Sequence, residues 1–173
     1  MIQATTETAF TVYINTEANR IDTSVASTQI RHLMKFTNDL DGAAFYAYGN
    51  TETIYDRYTV MVFSYHTSPD MYSGQTKLLP SGYYKYEAWE VSWTGTVTVS
   101  AGNAPATETE VLPADPTHGI VKGLVAIGKM NVSEKSGTQQ VTYKQYEEPD
   151  KGEQVQYNQH PDPGGTNYIW YGQ

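Results

Sequence analysis

"PSGYYKYEAWE", residues 80–90, sets three tyrosines and a tryptophan into eleven positions. On a strand, successive side chains alternate between faces, so Tyr84, Tyr86 and Ala88 share one face. Tyr83, Lys85, Glu87 and Trp89 share the other. The first face is apolar and reads as core. The second carries two aromatic rings separated by a lysine and a glutamate, and Tyr83 and Trp89 are its candidate exposed aromatic face. A platform for stacking sugars or bases would use that second face, but two rings are a thin platform. The stretch reads best as the inner strand of a sandwich.

The flanking sequence repeats the pattern. Ala9–Ile14 (AFTVYI), Ile30–Phe36 (IRHLMKF) and Ala43–Tyr48 (AAFYAY) are short apolar-rich runs bounded by turn residues. Asp41-Gly42 marks a hairpin turn between the last two. Arg57–Tyr65 (RYTVMVFSY) is apolar or aromatic on both faces and is expected to lie centrally in a sheet. Thr94–Ser100 (TGTVTVS) alternates cleanly, and Ala101–Gly119, with three prolines, reads as a long loop. Leu124–Val132 and Gln139–Glu147 are further strand candidates. Only Thr23–Met34, with Val25, Ile30, Leu33 and Met34, approximates a helical stripe. Roughly seven to nine turn-separated strands point to an all-β sandwich, with a closed barrel as the other all-β solution. Residues 1–35 read as an N-terminal extension, 36–147 as the sandwich domain and 148–173 as an extended C-terminal tail. That tail is polar and rich in Pro and Gly until it regains apolar character at its tip. Tyr168, Ile169, Trp170 and Tyr171 are therefore a candidate partner interface.

Composition removes several function classes. Eleven Lys and Arg against nineteen Asp and Glu give a net charge of −8, the wrong sign for tracking a phosphate backbone or an anionic membrane. No cysteine is present, so disulfides and cysteinyl metal sites are out. No apolar run approaches the roughly 18 residues of a membrane-spanning helix, and the first ten residues lack the basic and apolar regions of a signal peptide. The expectation is a non-exported protein.

Catalytic patterns are equally scarce. His32, His66, His118 and His160 are scattered without metal-ligand spacing. Asp39-Leu40-Asp41-Gly42 lacks the remaining oxygen ligands of a calcium loop and fits a hairpin turn. Glu87 and Glu90 differ by three and face opposite sides of a strand. No nucleophile elbow, phosphate-binding loop or metalloprotease helix occurs. The reading is a non-enzymatic protein with no cofactor and no metal.

Two resemblances extend this reading. Pro80-Ser81-Gly82-Tyr83-Tyr84-Lys85-Tyr86 resembles the entry to the penultimate strand of an immunoglobulin-like sandwich. There a tyrosine after a turn forms a corner, and the residue two positions on is commonly a cysteine. The resemblance implies that Tyr84 is the corner and Tyr86 the inward residue. Phe36–Gly42 (FTNDLDG), Asp56–Ser64 (DRYTVMVFS), Leu79–Glu90 (LPSGYYKYEAWE), Gly123–Val132 (GLVAIGKMNV) and the closing "YKQYEE…NYIWYGQ" are similar, in that order, to a second group. These are small structural proteins of tailed bacteriophages of marine and gut bacteria. This resemblance covers roughly residues 36–173 and implies a virion component assembled in the host cytoplasm. It would be an auxiliary or decoration protein docked on the major capsid protein and multimeric in the particle. A neck, ring, tail-adaptor or head-fibre position fits the same group, and a carbohydrate-binding module for host recognition is the rival class.

Overall fold

The computed structural model describes residues 1–135. Nine strands run through them: β1 (Ile2–Thr5), β2 (Phe10–Ile14), β3 (Ile30–Asn38), β4 (Ala44–Tyr48), β5 (Thr51–Ile54), β6 (Thr59–Tyr65), β7 (Gln75–Thr76), β8 (Gly82–Ser92) and β9 (Ile120–Ser133). They build two sheets. One has the order β1-β9-β8-β3-β4; the other has the order β2-β6-β5, with the two-residue β7 beside β6. Neighbours are antiparallel except for two pairs, β1 with β9 and β6 with β7. The architecture is all-β and the sheets are separate, so it is not a single closed barrel.

Alternation explains where the core lies. Phe10, Val12 and Ile14 of β2 and Met61 and Phe63 of β6 point from the smaller sheet into a shared interior. Met34 and Phe36 of β3, Tyr84 and Ala88 of β8, and Val125, Met130 and Val132 of β9 meet them from the larger one. At the centre, the Phe10 and Phe63 rings stack at 5.2 Å, and Phe36 stands edge-on to both at 6.1 and 5.6 Å. Each such aromatic pair adds about 0.5–1.5 kcal/mol beyond its buried area. β6 lies between β2 and β5, the central position expected from its two-sided apolar character.

The quoted stretch becomes the main part of β8. Tyr84 is completely buried, and its hydroxyl donates to the Pro80 carbonyl at 2.6 Å, tying the strand to the turn before it. Ala88 is also buried, while Tyr86 is only half-buried against the core. Along β9 the register with β8 skips at Ala88/Trp89 and Glu90/Val91, leaving Val125 and Lys122 as extra residues. Such bulges re-aim side chains. Here Val125 enters the core and Lys122 reaches Asp22.

The outer face of the larger sheet is also apolar. Leu33, Tyr48, Val91 and Trp93 form a second cluster, and the long segment between β8 and β9 folds over it, inserting Ala104. Hydrogen bonds fasten this cover: Tyr48 Oη to the Pro105 carbonyl at 2.7 Å and Trp93 Nε1 to the Thr117 carbonyl at 3.1 Å. Gly119 is required beneath it, because a Cβ there would lie 2.6 Å from the Trp93 ring.

Several sequence expectations are corrected. Residues 1–35 are not an extension: they supply β1, β2 and the first six residues of β3, within the same compact unit as the other strands. Thr94–Ser100 is not a strand; Val97 and Val99 pack on the second cluster, so their alternation reflects one-sided burial without ladder bonds. β5 begins within the turn residues that follow Tyr48, and Thr23–Met34 holds only a 3-10 turn at Ser27–Gln29 before β3 begins. Gln139–Glu147 lies outside the described residues.

Replacing Tyr84 by Phe keeps the ring packed and leaves the Pro80 carbonyl without its donor. The expected loss is about 1 kcal/mol in urea-induced unfolding; an unchanged midpoint would show that the corner bond contributes nothing.

Candidate interaction groove

The turn after β1 leaves an open groove in the body. β1 has four residues and, among the described residues, pairs only with Met130–Ser133 of β9. Glu7 then takes a left-handed backbone conformation (φ 57°), uncommon for a residue with a side chain, and the chain crosses to the smaller sheet as β2. Among the described residues, β9 from Ile120 to Lys129 therefore has no strand on the side opposite β8, and β2 has none on the side opposite β6.

A groove of about 550 Å³ lies between these two open edges. Tyr13, Ile14 and Asn15 form one wall and Leu124–Ile127 the other; Asn19 closes one end and Tyr86 lines the floor. It continues past Tyr13 and Tyr86 into a further 300 Å³ or so beside Met1–Gln3 and Thr11. Tyr86 reaches the floor because residue 128 is glycine: a Cβ there would sit 2.7 Å from the tyrosine hydroxyl. Burial raises the Tyr86 pKa above the usual phenol value. No charged side chain lines either part of the groove, although the whole chain carries −8. Tyr13 (64% exposed), Ile127 (55%) and Leu124 (39%) stand at its rim.

The end of the groove is held by buried carboxylates. Glu90, almost wholly buried, accepts the backbone N–H groups of Ile21 (3.0 Å) and Asp22 (2.7 Å). Asp22 in turn accepts from Ser24 Oγ (2.6 Å) and Ser92 Oγ (2.7 Å) and pairs with Lys122 at 3.1 Å. Hydrogen bonds from Ser24 and Ser92, with Lys122 adding to them, hold the Asp22 carboxyl far below the usual aspartate range. These bonds anchor the segment that carries Asn19, whose amide donates to the Val125 carbonyl at 2.9 Å.

Other titratable groups are built in as clasps. His32 Nδ1 lies 2.6 Å from Glu52 Oε1, and the His32 N–H donates to Glu52 Oε2 at 3.1 Å, joining β3 to β5 across the interior. Both side chains are almost fully buried, so substrate has no access to them. Ser92 bonds to Asp22 and His32 to Glu52, so these two side chains do not pair with each other. Lys35 and Tyr46 both bond Glu108, pinning the β8–β9 segment to the sheet. The hydrogen bond to Glu108 raises the Lys35 pKa. Among the described residues, no group of three or more His, Asp or Glu side chains converges to hold a metal ion.

Tyr83 and Trp89 do not form the expected aromatic face. Tyr83 is 59% exposed, but Trp89 is half-buried against the second apolar cluster. Six residues of strand hold their backbones about 20 Å apart. Tyr168, Ile169, Trp170 and Tyr171 lie outside the described residues. The exposed aromatics that do gather are Tyr13, Tyr58 and Tyr55, on the smaller sheet and its β5–β6 turn, with successive ring centroids 6.1 and 4.9 Å apart. The signal for Tyr13 was local: alternation in FTVYI turns Phe10, Val12 and Ile14 inward and leaves Tyr13 outside. Its juxtaposition with residues 124–127 depends on pairing far along the chain.

An aspartate depressed below its unfolded value contributes stability in full above about pH 4, the ordinary aspartate pKa. That contribution is lost as pH falls toward the folded value. Between pH 7 and pH 3 the urea midpoint of the native chain is therefore expected to drop further than that of Asp22→Asn; equal drops would remove Asp22 as an acid-sensitive anchor. Comparison with protein-family models, with curated proteins and with solved structures finds no match to this chain.

Proposed function

We propose that this protein is a non-enzymatic structural component of a tailed-phage virion, an auxiliary capsid protein docked on the major capsid protein. The observation that carries the docking role is the uncharged groove between two open sheet edges of an acidic chain. Exposed apolar rims around a shaped recess are a common form of protein interface. The virion assignment rests on the five motifs similar to tailed-phage structural proteins. Three of them fall in β6, β8 and β9, the strands that carry much of the core.

The body is proposed to be immunoglobulin-like. Support comes from the strand orders: a sheet containing β9-β8-β3-β4 matches the G-F-C-C′ sheet, and β2-β6-β5 matches B-E-D. The buried Tyr84, bonded back to Pro80, stands where a tyrosine corner belongs. A capsid-surface or neck position would use the same body, and copy number separates them.

The row Tyr13–Tyr58–Tyr55 favours a second reading, a carbohydrate-binding module, because clustered exposed rings offer faces for stacking. A glycan array decides that reading: saturable binding that Tyr58→Ala abolishes supports it, and silence across the array removes it.

For the leading reading, quantitative mass spectrometry of purified particles is expected to find the chain at high copy number, as for a lattice component; a single ring's worth would move it to the neck. Ile127→Asp, which places a charge on the groove wall at an exposed position, is expected to cut occupancy about tenfold without altering the fold, equivalent to about 1.4 kcal/mol. Absence of the chain from particles would sink the virion reading.

A further inference from the structure

The open edge of β2 has a specific hydrogen-bonding pattern. The Val62 carbonyl accepts the Asn50 N–H at 2.9 Å, and the Ser64 N–H donates to the Gly74 carbonyl at 2.9 Å. The even-numbered residues of β6 therefore turn their backbone groups away from β2. By alternation, Met61 and Phe63 turn theirs toward it. Their register partners Val12 and Phe10 turn inward to meet them. Thr11 and Tyr13, in between, direct both N–H and C=O out of the sheet, and both residues line the groove. Two donors and two acceptors thus stand at one wall with the spacing of a strand ladder.

The two walls are not equivalent. β9 is blunted: it carries two bulges, and Asn19 already caps the Val125 carbonyl. β2, with the sequence FTVYI, has no lysine, no proline and no bulge, the devices that normally protect an edge strand. A strand left unprotected in this way is suited to accepting another.

We infer that the β2 edge takes up one extended segment of a partner protein, which adds a strand to the smaller sheet by pairing with Thr11 and Tyr13. This rests on the docking reading above and names its mode. The walls at Tyr13 and at Leu124 line a single cavity of about 550 Å³, and one strand added to β2 would run along it. The segment is uncharged on the side that enters, because no charged side chain lines the groove to pair with a buried charge. Its inward residues alternate and are apolar or aromatic, to meet Tyr86 and Val125. The paired stretch is short: the five residues of β2 span about 17 Å. Main-chain bonds supply affinity and the alternating side chains supply selectivity, the mode of strand addition.

The test selects peptides from a random seven-residue library on the full chain, then measures resynthesised winners against variants. Thr11→Pro removes one outward N–H and leaves the β2–β6 ladder intact, since proline is accepted on an edge strand with its nitrogen facing out. Selected peptides are expected to be uncharged with alternating apolar residues, and to lose at least tenfold in affinity on both Thr11→Pro and Ile127→Asp. In the unmodified chain they are expected to slow amide hydrogen exchange at Thr11 and Tyr13, a readout independent of how any variant folds. Loss on Ile127→Asp alone, with exchange at Thr11 and Tyr13 unchanged, overturns strand addition while leaving the groove as a docking surface. Enrichment of charged peptides, or of none, also overturns it. The docking reading fails separately, if Ile127→Asp leaves particle occupancy unchanged.

Discussion

β8 is paired along its length by β3 on one side and β9 on the other, and it buries side chains on both of its faces. Tyr84 and Ala88 enter the interior between the sheets, while Val91, together with Trp93 just past the strand, enters the cluster on the opposite surface. A sheet that is apolar on both sides needs two covers. The smaller sheet is one, and the segment between β8 and β9 is the other. The second cover has no strands or helices of its own, so it is held by what it inserts and by what it bonds. Ala104, Val97 and Val99 pack down, and the Pro105 and Thr117 carbonyls accept from Tyr48 and Trp93.

Without cysteine, the two sheets are joined by packing and by a few buried polar clasps. His32 with Glu52 links β3 to β5 across the two sheets, and within the smaller sheet Thr16 Oγ1 with Thr59 Oγ1 at 2.6 Å ties the chain just past β2 to β6. Glu90 holds the chain between β2 and β3 by its backbone amides. A buried carboxylate costs several kcal/mol unless its oxygens are satisfied, and each of these carboxylates is. The polar interior thus specifies how loop and sheet meet more than it adds net stability. His32, Glu52 and Glu90 are thereby sealed from solvent, and none of them lines the groove.

How much of this could be read in advance depended on distance along the chain. Local alternation placed Tyr84 and Ala88 inside and gave Met61 and Phe63 one face of a central strand. It failed where a strand-like pattern has another cause, as at Val97 and Val99, which alternate because they lie on a surface. It also failed at Trp89, since nothing near that residue announces the second cluster it packs against. β5 hid in a four-residue polar run whose strand character comes from β6. The first 35 residues looked detached only because the partners of β1 and β2 are distant in sequence: β1 pairs with residues 130–133 and β2 with residues 59–63. The groove follows from the same non-local pairing, so no short motif encodes it.

The parallel pairing of β1 with the end of β9 has a mechanical consequence. Ile2 lies beside Met130 and Thr5 beside Ser133, so the two strands enter and leave their ladder in the same direction. A tensile load entering at Met1 and leaving at Lys135 would draw them past one another lengthwise. All the bonds of that short ladder would then share the force at once, whereas an antiparallel hairpin pulled from its open end would lose its bonds in succession. The body is thus clamped where its two ends meet, and it resists being drawn out along the line joining them.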